Sequence, residues 1–257
     1  MNEIMIYLFS RILKLFANIM KLLCYVFHYV FPEKRFVIPL SSAPLLRSAK
    51  ESKIPKILWQ TNYTNRVTLP VYLNYLCNRI MTPSYEYRYM GHEERSAFIK
   101  SECSDEIYNT YNKLTVGAAQ ADLWRLLVLQ TYGGIYMDID AHLVWFLTSI
   151  VKPDYDELYL TNKGGYTNYF IASKKDNPRL EKMIALILEN IKIRLDTSVY
   201  GLTGPGVTNA ILEGLGANSR SCNITCLQGN FTNEYFQYVD HPTGKWNYVK
   251  NKDIIKE

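Results

Sequence analysis

The sequence predicts an α/β fold preceded by an amphipathic helix, and three observations carry that reading. Across residues 54–195, short apolar runs bounded by turn residues alternate with longer segments of helical periodicity. At 117–142 one such helix, a glycine turn and a strand follow in immediate succession. Ahead of them, residues 4–31 are apolar on one helical face and polar on the other. With 257 residues, 48% hydrophobic and 21% charged, the chain is long enough for one sizeable domain and an appendage.

The stretch 117–142 reads GAAQADLWRLLVLQTYGGIYMDIDAH. Residues 118–130 are good helix formers without internal Gly or Pro. Gly133-Gly134 ends that helix, since glycine accepts the left-handed backbone of a C-terminal cap. Residues 135–140 then read as a short buried strand. Alternation along it points Asp138 and Asp140 the same way. Two adjacent carboxylates repel unless a cation sits beside them, and a hard divalent ion, Mg²⁺ or Mn²⁺, suits oxygen ligands. On the helix, Asp122 and Arg125 are three apart and share a face. They form either part of a site or an ordinary surface ion pair; spacing alone leaves both open.

The run Ala118-Ala119, Asp122-x-x-Arg125, Tyr132-Gly133-Gly134-Ile135-Tyr136-x-Asp138-x-Asp140 resembles the family 32 glycosyltransferases, enzymes with a DXD sugar-binding region. That family includes yeast initiating mannosyltransferases, bacterial capsule and O-antigen transferases and the catalytic domains of large clostridial glucosylating toxins. A lone Asp-x-Asp is weak; the whole run in register is specific. The resemblance implies a GT-A type, Rossmann-like nucleotide-sugar-binding domain with a mixed central sheet over residues 54–257. It implies Mn²⁺ or Mg²⁺ as cofactor, held by Asp138, Asp140 and His241. Asp140 would bind the metal directly, and Asp138 would touch the ribose or a metal-bound water. Asp122 and Arg125 would hold sugar hydroxyls and the diphosphate, with Tyr136 in the donor site and Asn168 facing the transferred sugar. Residues 54–60, Ile-Pro-Lys-Ile-Leu-Trp-Gln, resemble the family's opening strand, with Trp59 where His is usual. Trp59 and Gln60 would face the base or ribose, although a core Trp is equally open. Gly204 lies in a segment like the family's Thr-Gly-Pro. Trp246 would close over the donor, with Lys245 where the family has Ser. Retention of anomeric configuration is likewise implied by the family.

The remaining elements follow in order. Residues 69–79 read as a helix, 85–89 as a strand, and 93–100 and 105–111 as helices. Residues 157–160 and 168–172 read as strands joined through Gly164-Gly165, and 176–195 as an amphipathic helix. His142 reads as structural. The glycine-rich 201–206 lacks the Gly-Lys-Ser/Thr ending of a phosphate loop.

Charge and cysteine content narrow the class. The net charge is +5, and residues 1–35 carry five cations against two acids, so +3 of it sits there. No basic patch remains on the body, which argues against nucleic acid as a partner. Five scattered cysteines read as reduced thiols in a cytosolic compartment. In residues 4–31 the polar positions Arg11, Lys14, Asn18, Lys21 and His28 line one face, opposite a wide Leu/Ile/Phe face. That is the pattern of a helix lying in a membrane interface, and three interior cations make a spanning helix the weaker alternative. Residues 1–35 are therefore expected to be a monotopic anchor, 36–53 a linker rich in Pro and Ser, and 54–257 catalytic. The combined expectation is a transferase on the cytoplasmic face of a bacterial inner membrane. It would move a sugar from a UDP- or GDP-sugar to a lipid-linked glycan in capsule or O-antigen synthesis. A non-catalytic nucleotide-sugar-binding protein and a metal-dependent phosphohydrolase remain as alternatives.

Overall fold

The computed structural model describes residues 3–47, 50–195, 197–244 and 250–256. Its framework is a seven-stranded mixed sheet. In the middle, β3 (Ile57–Thr61) runs parallel to β5 (Glu86–Met90) on one side and β6 (Gly134–Met137) on the other. β9 (Gly165–Ser173) lies antiparallel to β6, and β8 (Glu157–Asn162) antiparallel to β9. β10 (Ser219–Ser221) closes one edge and β2 (Ser41–Ser42) the other. The β8–β9 hairpin turns through Lys163 (φ 50°) and Gly164 (φ 88°), the paired positive φ values that match a turn to strand twist.

The inner strands are buried on both faces, so their side chains alternate between two cores. Leu58, Ile135, Met137, Phe170 and Ala172 point into one. It is covered by α2 (Leu69–Met81) and by α1 (Glu3–Val30) through Leu13 and Ala17. Trp59, Tyr136, Tyr159 and Ile171 point into the other, covered by α5 (Gly117–Tyr132) and α7 (Pro178–Lys192). The α5–β6 connection depends on its two glycines. Gly133 (φ +66°) and Gly134 (φ +109°) both adopt the left-handed region, and a Cβ on Gly134 would lie 2.8 Å from the Ile57 carbonyl oxygen.

The structure corrects the expected organisation of the first 53 residues. Residues 36–53 are not a free linker. β2 is an edge strand of the main sheet, β1 (Phe36–Val37) pairs with β4 (Arg66–Val67), and Ile38 is fully buried. Nor does α1 stand apart from the body. Ile6, Ser10, Leu13, Ala17, Cys24 and His28 form its buried face. Arg35 makes a two-toothed ion pair with Asp240 (2.6 Å). Part of the basic stripe fastens the helix: Lys21 Nζ donates to the Gly229 carbonyl (3.0 Å), and His28 Nε2 accepts the Leu69 N–H (3.0 Å). Lys14 stays exposed. Facing away from the domain is a continuous apolar stripe that includes Leu8, Ile12, Leu15, Ile19, Leu22 and Val26. No described helix is long and apolar enough to cross a membrane.

Candidate active site

The acids sit on a turn, not on the strand. β6 ends at Met137, and Asp138–Ile139–Asp140 bends the chain into β7 (Ala141–Leu143). The Ala141 N–H closes the turn on the Asp138 carbonyl (3.0 Å), and the Asp138 N–H donates to Tyr169 of β9 (2.8 Å). Strand alternation therefore does not align the two carboxylates. Side-chain amides do. Gln60 of β3 donates to the Met137 and Asp138 carbonyls (3.3 and 3.1 Å). Asn74 of α2 donates to the Ile139 and Ala141 carbonyls (2.7 and 2.9 Å). Asn78, one helical turn on, donates to Ala141 (2.8 Å) and accepts the Leu143 N–H (3.0 Å). β11 (Cys226–Gln228) pairs with β7 and brings Gln228 over the turn. There its Nε2 donates to Asp138 Oδ2 (3.2 Å) and Asp140 Oδ1 (3.0 Å).

A second polar group continues from the first. Arg125 pairs with Asp122 (2.7 Å), reaches Asp138 (3.5 Å), donates to the Asn168 carbonyl (2.5 Å) and lies 4.4 Å from the centre of the Tyr136 ring. Tyr136 donates its hydroxyl proton to Asp138. Asp122 also accepts from Asn168 Nδ2 (3.0 Å) and Thr203 Oγ1 (2.9 Å). Helix α5, strand β6, strand β9 and the Thr203–Gly204 turn between two short helices thus converge at the carboxyl end of β6.

Burial sets the charges here. Loss of solvation, reinforced by the neighbouring Asp138 charge, pushes Asp140 up to about 6. Burial likewise pushes Asp122 up to about 6, against the pull of Arg125 and Thr203. Asp138 is raised by burial, with Arg125 and Tyr136 opposing. Arg125 is raised because its surrounding anions outweigh its own burial, so its charge is permanent. Two desolvated carboxylates that share the Gln228 amide, with Arg125 reaching only Asp138, form a hard oxygen site that fits Mg²⁺ or Mn²⁺. Such ions take one or two protein carboxylates and leave other positions to water and phosphate oxygens. Among the described residues no third His, Cys, Asp or Glu joins the pair.

Residues 70–157 match the family described as "Glycosyltransferase sugar-binding region containing DXD motif". This stretch carries the DXD sugar-binding region of the glycosyltransferases. The chain is 26% identical over 195 residues to an initiation-specific alpha-1,6-mannosyltransferase of Schizosaccharomyces pombe, a match covering 62% of this chain and 48% of that protein. It is 38% identical over 96 residues to Toxin Afp18 of Yersinia ruckeri, covering 35% of this chain and 4% of the toxin. The chain thus spans about half the length of the yeast relative and a small part of the toxin. Among solved structures, the PaToxG glycosyltransferase superposes with a TM-score of 0.50 at 23% identity, over 62% of this chain and 69% of that one. That likeness supports the fold.

Around this DXD region the structure brings together Asp122, Arg125, Tyr136, Asp138, Asp140 and Asn168. Other expected site residues lie elsewhere. Trp59 is buried, donates to the Gly133 carbonyl (2.9 Å) and stacks on Tyr132; it is a core residue. Gln60 is fully buried with both ends of its amide engaged, so it positions the acid turn and does not face a base. Gly204 serves backbone packing: a Cβ there would lie 3.1 Å from the Tyr200 carbonyl oxygen. The neighbouring Thr203 supplies the functional group. His241 does not join the acid pair; it stacks face to face on Tyr63, ring centres 4.2 Å apart. Trp246 and Lys245 lie outside the described residues. His142 is fully buried beside Asn230, and burial pulls it down to about 4, so it is neutral and structural. Sequence reading missed Thr203, Asn74, Asn78 and Gln228. Asn74 and Asn78 did carry a signal, two amides four apart on an apolar helix. Gln228 carried none.

Proposed function

We propose that this protein transfers a sugar from a nucleotide-sugar donor to a lipid-linked glycan at a membrane surface, with a divalent cation on Asp138 and Asp140. The observation that carries the reading is the acid turn joined to Asp122, Arg125 and Asn168 in one polar cluster. A bound cation would act as a Lewis acid that neutralises the charge developing on the departing diphosphate. Arg125 and Asp122 are enclosed, with their polar atoms engaged by neighbours, so they act chiefly by fixing Asp138 and Asn168. Donor contact then falls to Asp138, Asp140 and Asn168, which keep some exposure. The transfer is read as retaining, since Asp122 is tied by Arg125, Asn168 and Thr203 and is poorly placed as a free nucleophile or base. The outward apolar stripe of α1, flanked by Lys14, supports docking in a membrane interface, where a lipid-borne acceptor such as an undecaprenyl-diphosphate oligosaccharide would be concentrated. All five cysteines are unpaired, in keeping with a cytoplasmic face and a place in capsule or O-antigen assembly.

The test is a panel of UDP- and GDP-sugars in thermal-shift assays with and without Mn²⁺, on wild type and Asp140→Ala. Stabilisation by one donor that needs Mn²⁺ and vanishes in the variant is expected. A folded wild type indifferent to every donor would overturn the reading and favour a protein that retains the fold without this activity.

A further inference from the structure

We propose that Gln228 is a latch on the acid pair, occupying the cation's place until cation and donor arrive together. The inference rests on the cation reading above and extends it to a residue no part of that reading assigned. A primary amide has two N–H donors on one nitrogen. Here both are spent on the acid turn, one toward Asp138 Oδ2 and one toward Asp140 Oδ1 (3.2 and 3.0 Å). Each carboxylate thus offers one oxygen to the same atom, which is how they would share a small cation. The amide relieves their repulsion without carrying a charge of its own.

The latch is held in register. β11 pairs with β7, setting Gln228 opposite Ala141, and the Gly229 N–H donates to the Asp140 carbonyl (3.1 Å). Helix α1 secures the same segment: Lys21 Nζ donates to the Gly229 carbonyl and Phe16 meets Phe231 edge-on. Yet Gln228 itself is solvent-exposed, so its side chain can swing out without disturbing a core. A cation alone must displace two charge-assisted hydrogen bonds. A cation bound to a nucleoside diphosphate brings phosphate oxygens that repay this loss, so the latch favours loading of the pair over loading of the ion.

The experiment is Mn²⁺ binding by electron paramagnetic resonance and calorimetry, first with Mn²⁺ alone and then with UDP or GDP, on wild type, Gln228→Ala and Asp140→Ala. Gln228→Ala is expected to bind Mn²⁺ alone about tenfold more tightly than wild type, the equivalent of one charged hydrogen bond lost by the competitor. Its cation-free melting temperature should fall, and Mn²⁺ should raise it by more than in wild type. Gln228→Ser, too short to bridge the acids, should behave alike and covers the case in which the alanine variant folds poorly. Equal or weaker Mn²⁺ binding in both variants, with wild-type binding intact and lost in Asp140→Ala, would overturn the latch and leave the cation site standing. No Mn²⁺ binding by folded wild type, with or without nucleotide, would overturn both.

Discussion

Asp140 takes its chemistry from its neighbours more than from being an aspartate. Desolvation and the Asp138 charge lift it to about 6, above the roughly 3.9 of a carboxyl in the unfolded chain. Between those values the folded state holds a proton that the unfolded state has released. Stability of the cation-free protein therefore falls as pH rises through this window, and the ionised form is the costly one. Asp140→Asn removes the cost. Urea unfolding without divalent ions should show the variant gaining on wild type at pH 7 but not at pH 4. An equal effect at both would mean that Asp140 is not raised. Cation binding runs the other way, since the ligand must be ionised, and should weaken below about pH 6.

At the scale of elements, α2 does more than cover the sheet. Asn74 and Asn78 are fully buried, and between them they bond four times to the backbone of residues 139–143. They satisfy backbone groups of the turn and of β7 that would otherwise be buried without partners. Asn78→Ala leaves the Leu143 N–H buried without its partner, a loss of about 1–3 kcal/mol. Urea unfolding should record that loss, and Mn²⁺ affinity should drop as the acid turn loosens. Unchanged stability would show that the turn holds itself.

For the molecule as a whole, α1 is the element that gives the domain a direction. One face packs beside α2, the adjoining seam grips the 223–233 segment, and the opposite stripe is bare: Ile12 and Leu22 are each 66% exposed. Under the membrane reading proposed above, this stripe and the exposed Lys14 would dock on an anionic bilayer surface. Ile12→Glu with Leu22→Glu should abolish sedimentation with phosphatidylglycerol vesicles while changing stability by no more than about 0.5 kcal/mol each, because neither side chain is packed. Retained vesicle binding would place the contact on another face. Failure of wild type to bind would remove the monotopic reading.

Local rules decided much of this protein from its sequence. The double glycine, the helix before it and the buried strand after it are legible because each depends on residues close along the chain. The same holds for the polar register of Asp122, Arg125, Asp138 and Asp140, which gave the resemblance its specificity. Strand limits were less legible: alternation carried the strand on to Asp140, whereas a turn closed by the Ala141 N–H ends it at Met137. Residues 36–53 read as linker because an edge strand of two residues has no periodicity to detect. Tertiary structure alone decided how the site is held. Gln228 reaches the acids through pairing with β7, far back along the chain. Thr203 meets Asp122 across a helix, and Trp59 turns into the core instead of toward a base. Composition and spacing can nominate charged residues for a site. Which neutral amides and hydroxyls satisfy them depends on distances through space, and those exist only once the sheet has assembled.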